Sequence, residues 1–254
     1  LLFLIAPFAV HADWPDWRGP DEQGHAASDK LPLRWSETEN IAWKTPIHDL
    51  GHSTPVVLGN QIWLTTAKQD GTELYAVAID VQSGEIKHDI PVFHVENPQK
   101  KNPSNSYATP SPAIESGRVY VHYGSDGTAC IDTKSGEILW KRTDLNCDHM
   151  QGAASSPVIY EDLLILTLEG TDKYFTVALS KKTGDTVWTY KRPADLYVDS
   201  IEGVYKKSYQ TPVFSTVDGK TQLVSNGALL VTGHNPRTGE EIWRVRYRDD
   251  SAIS

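Results

Sequence analysis

The chain has 254 residues, 39% of them hydrophobic and 9% aromatic, with eight tryptophans against a single methionine. That composition supports a real core and points to recurring aromatic contacts in place of a loosely filled interior. A formal net charge of −9 excludes the electrostatic field that a nucleic-acid binder, or a protein held on anionic lipid, relies on.

Leu1 to Ala12 is an apolar run that ends Val10-His11-Ala12 before the polar Asp13. It reads as what remains of a secretory signal, its hydrophobic region and small-residue cleavage site, and is too short to span a bilayer. The chain is therefore expected to be exported, to the periplasm or outside the cell, with no membrane insertion after cleavage. Residues 13–35 follow, opening Asp13-Trp14-Pro15-Asp16-Trp17-Arg18-Gly19-Pro20. Turn formers and aromatics without a period predict an irregular strap over one face of the domain.

Residues 36–254 read as one repeat domain. Asn40-Ile41-Ala42-Trp43-Lys44 looks like a tryptophan-bearing strand standing alone. Each full repeat then opens with a hydroxyl–proline pair: Thr54-Pro55, Ser111-Pro112, Ser156-Pro157 and Thr211-Pro212. A second strand follows at Gln61 to Thr66, Arg118 to Tyr123, Leu163 to Leu168 and Gln222 to Ser225, each rich in β-branched or apolar residues and bounded by turn formers. The third and fourth strands are arms of a hairpin, clearest in Cys130-Ile131-Asp132-Thr133-Lys134-Ser135-Gly136-Glu137-Ile138-Leu139-Trp140. Gly136 supplies the positive φ that such a turn requires. The same grammar recurs at Ala78 to His88, Ala178 to Trp188 and Gly233 to Trp243, with His88 in the tryptophan place, Ser180 for the aspartate and Asn235 likewise. The stretches 89–108 and 191–209 are long insertions, and no segment carries a convincing amphipathic helix. Four strands per unit, recurring about every 45 to 55 residues, is a propeller signature. The predicted fold is all-β: about four blades of four antiparallel strands.

Several polar groups are candidates for chemistry, and each has a plainer structural reading that is preferred. His122, Cys147, Asp148 and His149 include metal-ligating types, but their spacing fits no compact ligand pattern. Thr54, Thr109, Ser155 and Ser156 stand where a central channel would be lined; the simpler reading is that proline starts a strand where no ladder bond is needed. Asn102, Asn105, Ser106 and Tyr107 offer a polar loop rim. Asp195 and Asp199 beside Tyr197 resemble paired carboxylates, yet an acidic solvated loop explains them. Cys130 occupies the slot of Ala78 and Ala178, a small buried filler, and pairing with Cys147 stays open. No catalytic, cofactor-binding or metal-binding residue is assigned.

The Ala-x-Asp-x-x-Thr-Gly-x-x-x-Trp grammar resembles the tryptophan-docking motif of the pyrroloquinoline-quinone (PQQ)-type β-propeller superfamily, over roughly residues 36–247. That resemblance implies a parent of seven or eight blades, so the chain is expected to be part of a larger propeller, incomplete at its C-terminal side. Its dehydrogenase members hold quinone over adjacent cysteines beside calcium bound by Glu, Asn and Asp. Here the two cysteines, Cys130 and Cys147, are far apart and no C-x-x-C-H is present. The nearer resemblance is to non-catalytic members such as the scaffold lipoprotein that helps assemble outer-membrane barrels. The expected function is an exported binding or scaffold module without a cofactor, with a protein or polysaccharide ligand at a propeller face. The alternatives are a PQQ- and Ca²⁺-dependent alcohol or sugar dehydrogenase, and a carbohydrate-binding or carbohydrate-active propeller.

Overall fold

The computed structural model describes residues 13–26, 32–196 and 201–247. Among the described residues, sixteen strands make four separate four-stranded antiparallel sheets, each a simple meander in sequence order. The first blade is β1 (Val56–Leu58), β2 (Gln61–Ala67), β3 (Glu73–Asp80) and β4 (Ile86–His94). The second is β5 (Ala113–Glu115), β6 (Arg118–His122), β7 (Thr128–Asp132) and β8 (Ile138–Arg142). The third is β9 (Val158–Tyr160), β10 (Leu163–Glu169), β11 (Tyr174–Ser180) and β12 (Thr186–Lys191). The fourth is β13 (Val213–Val217), β14 (Lys220–Gly227), β15 (Leu230–His234) and β16 (Glu241–Arg246). Helix among the described residues is confined to three 3-10 turns. The expected all-β, four-bladed architecture is what the chain adopts.

The glycine hairpins form for a readable reason. Asp132 Oδ1 accepts the backbone N–H groups of Lys134 (3.0 Å) and Ser135 (2.8 Å), and Gly136 takes φ 75°. Those bonds hold the Asp132 carboxyl below the usual range. Asp80 does the same for Gln82 and Ser83, and Asn235 Oδ1 accepts from Arg237 N. In every blade the ladder then slips by one residue, just after Ala78, Cys130, Ala178 or Gly233. These four small residues lie directly across from His88, Trp140, Trp188 and Trp243. A small residue opposite a ring leaves room for the ring to lie over the sheet.

The core sits in the seams between sheets, because successive residues of a strand point to opposite faces. On β6, Val119 and Val121 join Trp63, Leu74 and Phe93 of the first blade, whereas Tyr120 between them joins Leu164, Leu166 and Leu168 of the third. On β10, Leu163 and Ile165 face the fourth blade with Val158, Trp188 and Leu223. A lone four-stranded sheet cannot bury both faces, so stacking supplies the burial.

One aromatic crosses each seam to the glycine turn of the next blade. Trp43, Trp140 and Trp188 lie so close over Gly84, Gly184 and Gly239 that a Cβ there would come within 2.5–2.8 Å of the ring. Their indole N–H groups donate to carbonyls three residues before those glycines: Val81 O (2.9 Å), Lys181 O (3.0 Å) and Pro236 O (3.1 Å). The residues around Trp43, expected as a strand, belong to no sheet among the described residues, yet its indole is placed like the others.

His88 sits over Gly136, as the tryptophans do over theirs, but the donor differs. Gln61 Nε2 reaches Thr133 O at 3.1 Å, and Trp63 stacks behind the imidazole at 5.8 Å between centroids. Trp63 is fully buried and its N–H returns to Gln61 Oε1 at 3.2 Å. Arg118, in register with Gln61, likewise gives a second donor to Lys181 O at 3.2 Å.

The segment 13–26 lies along the innermost strands. Trp14 exchanges backbone bonds with Val57, Pro15 O accepts from Ile114 N (2.8 Å), and Glu22 Oε2 accepts from Phe214 N (2.7 Å). It therefore ties β1, β5 and β13 together at their edge, where unpaired strand groups need partners. The apolar run Leu1 to Ala12 lies outside the described residues.

Candidate functional site

A meander places the β2–β3-type turns and the connections between blades on one face, and the glycine hairpins on the other. The long insertions therefore gather on a single loop face, where loops are free to carry binding groups. Three features are built there.

The first is a belt of hydroxyls. Ser111 Oγ accepts the Thr54 N–H (2.8 Å), Ser156 Oγ accepts the Ser111 N–H (3.0 Å), and Thr211 Oγ1 accepts the Ser156 N–H (3.0 Å). Each of these residues precedes a proline, which keeps it extended and points its N–H at the neighbouring blade. Ser111, Ser156 and Thr211 are buried, so the hydroxyls satisfy groups that would otherwise be orphaned.

The second is an axial cleft of ≈520 Å³ at the belt. Two residues before each belt hydroxyl stands a residue of its wall: His52, Thr109, Ala154 and Tyr209. Thr109 and Ser156 both line the cleft, the position set second to a plain strand start, and the Thr109 hydroxyl donates to Asn105 Oδ1 at 2.5 Å. Thr54 and Ser156 are occupied in the belt.

The third is a buried polar pocket behind the cleft, with room for about one water molecule. It is lined by His122, His149, Ser155, Thr167, Glu169 and Tyr209, among others. His122 donates to or accepts from Thr128 Oγ1 through Nδ1 at 2.8 Å, and burial, then neighbouring His149, pulls its pKa to about 3. His149 is pulled to about 4 by burial, and its Nε2 accepts the Ser125 N–H at 3.1 Å. Glu169 goes the other way: burial raises it to about 7 against the lowering pull of Arg192. Tyr174 and Ser208 lie near enough to lower it, but neither carboxyl oxygen has a hydrogen-bond partner among the described residues, nor does Ser155 Oγ. Cys147 Sγ is 3.6 Å from His149 Nδ1, and burial pushes its thiol up to about 12.

The structure thus brings His122, Cys147 and His149 together but turns Asp148 away. Asp148 binds the loop instead, accepting from Thr171 Oγ1 (2.8 Å) and Met150 N (3.0 Å). No group of three or more His, Cys, Asp and Glu residues converges as metal ligands among the described residues. Cys130 and Cys147 are both free: Cys130 is spent opposite Trp140 inside its sheet. Asn102, Asn105 and Tyr107 act as ties, with Asn105 Nδ2 on Gln151 O (2.8 Å) and Tyr107 OH on Gln99 O (2.8 Å). Asp195 pairs with Arg246 at 2.7 Å, and Tyr197 and Asp199 lie outside the described residues.

Glu169, Lys207 and Gln151 are the groups that sequence reasoning passed over. Glu169 closes the run Leu163–Leu168, a carboxyl at the end of an otherwise apolar buried strand, and that contrast was its signal. Lys207 is fully buried, donating to Gln151 Oε1 at 2.8 Å and to Tyr209 OH. Nothing in its own neighbourhood of sequence marked it.

The donor set does not fit a bound quinone and calcium. The two thiols are not adjacent, both are buried in the seam between the second and third sheets, and the unpartnered Glu169 carboxyl in the pocket is raised to about 7 by burial.

Several solved structures share the fold. The quinohemoprotein alcohol dehydrogenase from Comamonas testosteroni superposes with a TM-score of 0.61 at 14% identity, covering 92% of this chain and 41% of that one. Quinohemoprotein alcohol dehydrogenase ADHIIG from Pseudomonas putida HK5 gives 0.60 at 16%, covering 92% and 40%. A europium-containing methanol dehydrogenase gives 0.55 at 14%, covering 77% and 42%. The chain spans about two fifths of each of these proteins. No curated protein sequence matches it. A family model described as outer membrane protein assembly factor BamB matches residues 33–144 and 99–252, which together cover both the seam aromatics and the belt. The chain belongs to that family of PQQ-like repeat propellers.

Proposed function

We propose that this protein is an exported, non-catalytic propeller that serves as a binding and scaffold module, holding a protein partner of the outer-membrane assembly kind on its loop face. The observation that carries the reading is the family match over residues 33–144 and 99–252. The chemistry of the loop face is compatible with it: burial keeps His122 and His149 uncharged and the Cys147 thiol protonated at neutral pH. These groups supply neither a thiolate nor a charged imidazole. Export rests on the apolar pattern of Leu1 to Ala12. Among the described residues, no helix is long and apolar enough to cross a membrane.

The test is site-specific photocrosslinking in the periplasm of the producing cell. A photoreactive residue at Lys100 or Met150, both exposed on the loop face, is expected to capture an envelope protein. The same residue at Val187, on an outer strand, is expected to capture none. Equal capture from all three positions refutes the loop-face assignment. Turnover of alcohols or sugars after addition of PQQ and Ca²⁺ refutes the non-catalytic reading.

A further inference from the structure

The axial cleft has a charge pattern unlike the rest of the molecule. The chain carries 33 acidic and 24 basic residues, yet no carboxylate lines the cleft. Its wall holds one guanidinium, Arg18, and one imidazole, His52, with the ring of Trp17 beside them. Arg18 is exposed, its guanidinium stacks over the Trp17 ring at 4.9 Å, and it pairs with no carboxylate among the described residues. The nearest carboxyls in sequence are not part of the wall. Asp21 is engaged with Gln23 N and His25, Glu22 with Phe214 N, and Asp16 is half-buried with one carboxyl oxygen unpartnered among the described residues.

The backbone at this corner turns through the left-handed region, as it does again at Glu22. Arg18 sits at φ 77°, in the left-handed region that a branched-Cβ or bulky residue avoids and that glycine takes freely. The corner is pinned there. Gly24 N donates to Arg18 O at 2.8 Å, and the Trp14 ring covers Gly19 so closely that a Cβ would lie 2.7 Å away. A long cationic residue is thus held, against its backbone preference, over a cleft that contains no negative charge. A guanidinium stacked on an indole keeps its N–H edge free for two parallel bonds to an oxyanion.

We propose that the axial cleft is an oxyanion-binding site, in which the Arg18 guanidinium, backed by Trp17 and joined by His52, takes the carboxylate or phosphate group of a small ligand. The cleft lies on the loop face to which the protein partner is assigned, but the proposal needs no second chain and is tested without one.

The test uses the full chain, titrated with succinate and with inorganic phosphate at fixed ionic strength. Binding is read at the Trp17 indole N–H resonance, assigned by Trp17→Phe. Saturable shifts are expected for at least one anion; the tighter of the two assigns the ligand to carboxylates or to phosphates. Arg18→Gln is expected to weaken binding about tenfold or more, and Arg18→Lys to weaken the carboxylate, because the fork is lost. Arg18→Gly is expected to abolish binding while raising the unfolding midpoint, since glycine accepts this φ without strain. Failure of both anions to saturate overturns the proposal. So does binding that survives Arg18→Gln unchanged, or an Arg18→Gly variant less stable than the parent.

Discussion

The seam that lacks a tryptophan gives the most incisive test of how blades are joined. Gln61 there bridges two groups: it gives a hydrogen bond to Thr133 O and accepts one from the Trp63 indole. Trp63 is 0% exposed and Thr133 6%, so neither group can turn to water when Gln61 is lost. Gln61→Leu therefore orphans a buried N–H and a buried carbonyl, each costing about 1–3 kcal/mol, for a total of about 2–4 kcal/mol once the added apolar contact of leucine is allowed for. His88→Trp alone, although it restores the repeat consensus, is also destabilising, by about 1–3 kcal/mol. The indole overpacks Trp63, which already stacks on His88. It also finds its acceptor taken. In the Gln61→Leu background the new indole N–H is free to donate to Thr133 O, so the double variant is expected to recover about 1 kcal/mol relative to the sum of the singles. Urea unfolding of all four proteins, with unchanged slopes, measures that coupling. Additive losses would show that Gln61 is not the substitute donor, and the account of this seam would fail.

Ser156→Ala leaves the buried Ser111 N–H without an acceptor and is expected to cost about 1–3 kcal/mol, with faster amide exchange at Ser111, while Ser156→Thr keeps the bond. Glu169 has a folded pKa near 7, above its ordinary 4.5, so the folded state holds its proton longer than the unfolded one. Its contribution to stability is therefore present below about pH 4.5 and is lost as pH rises towards 7, on the order of 1 kcal/mol per pH unit. The difference between the wild type and Glu169→Gln in urea midpoint across pH 4.5–8 isolates this slope. His122 and His149 act in the opposite sense, because their pKa values fall from 6.5 to about 3 and 4 on folding: stability present above pH 6.5 is lost as pH drops. Cys130 and Cys147, both pushed to about 12 by burial, are expected to resist iodoacetamide in the native protein and to react on unfolding; native alkylation of either contradicts their placement.

The blade pattern was legible because it is written in local chemistry. The aspartate that caps a turn, the glycine that takes positive φ and the aromatic four residues later all lie within one hairpin, and the strands flanking them came out within a residue or two. The belt was half legible. The hydroxyl–proline pairs were visible as strand starts, but their bonds run between residues 45 to 57 positions apart, and no short window contains both ends. The polar pocket was least legible. His122 and His149 were noticed as residue types, yet Asp148 was grouped with them because it is adjacent in sequence, and a single backbone step turned it to the loop. Glu169 ends a strand of the third blade and Lys207 lies in the connection to the fourth, so no short window of sequence contains both. The strap was expected over one face of the domain; its described part, residues 13–26, runs along the inner edge, because the first strands there leave backbone groups that Trp14 and Pro15 can satisfy.

Each neighbouring pair of sheets is fastened twice, by an aromatic near the rim at one end of the strands and by a hydroxyl near the axis at the other. Two bolts set diagonally across a plate remove its freedom to swivel, where one would leave a hinge. The pitch between these neighbouring blades is consequently held by side chains at both ends of the strands.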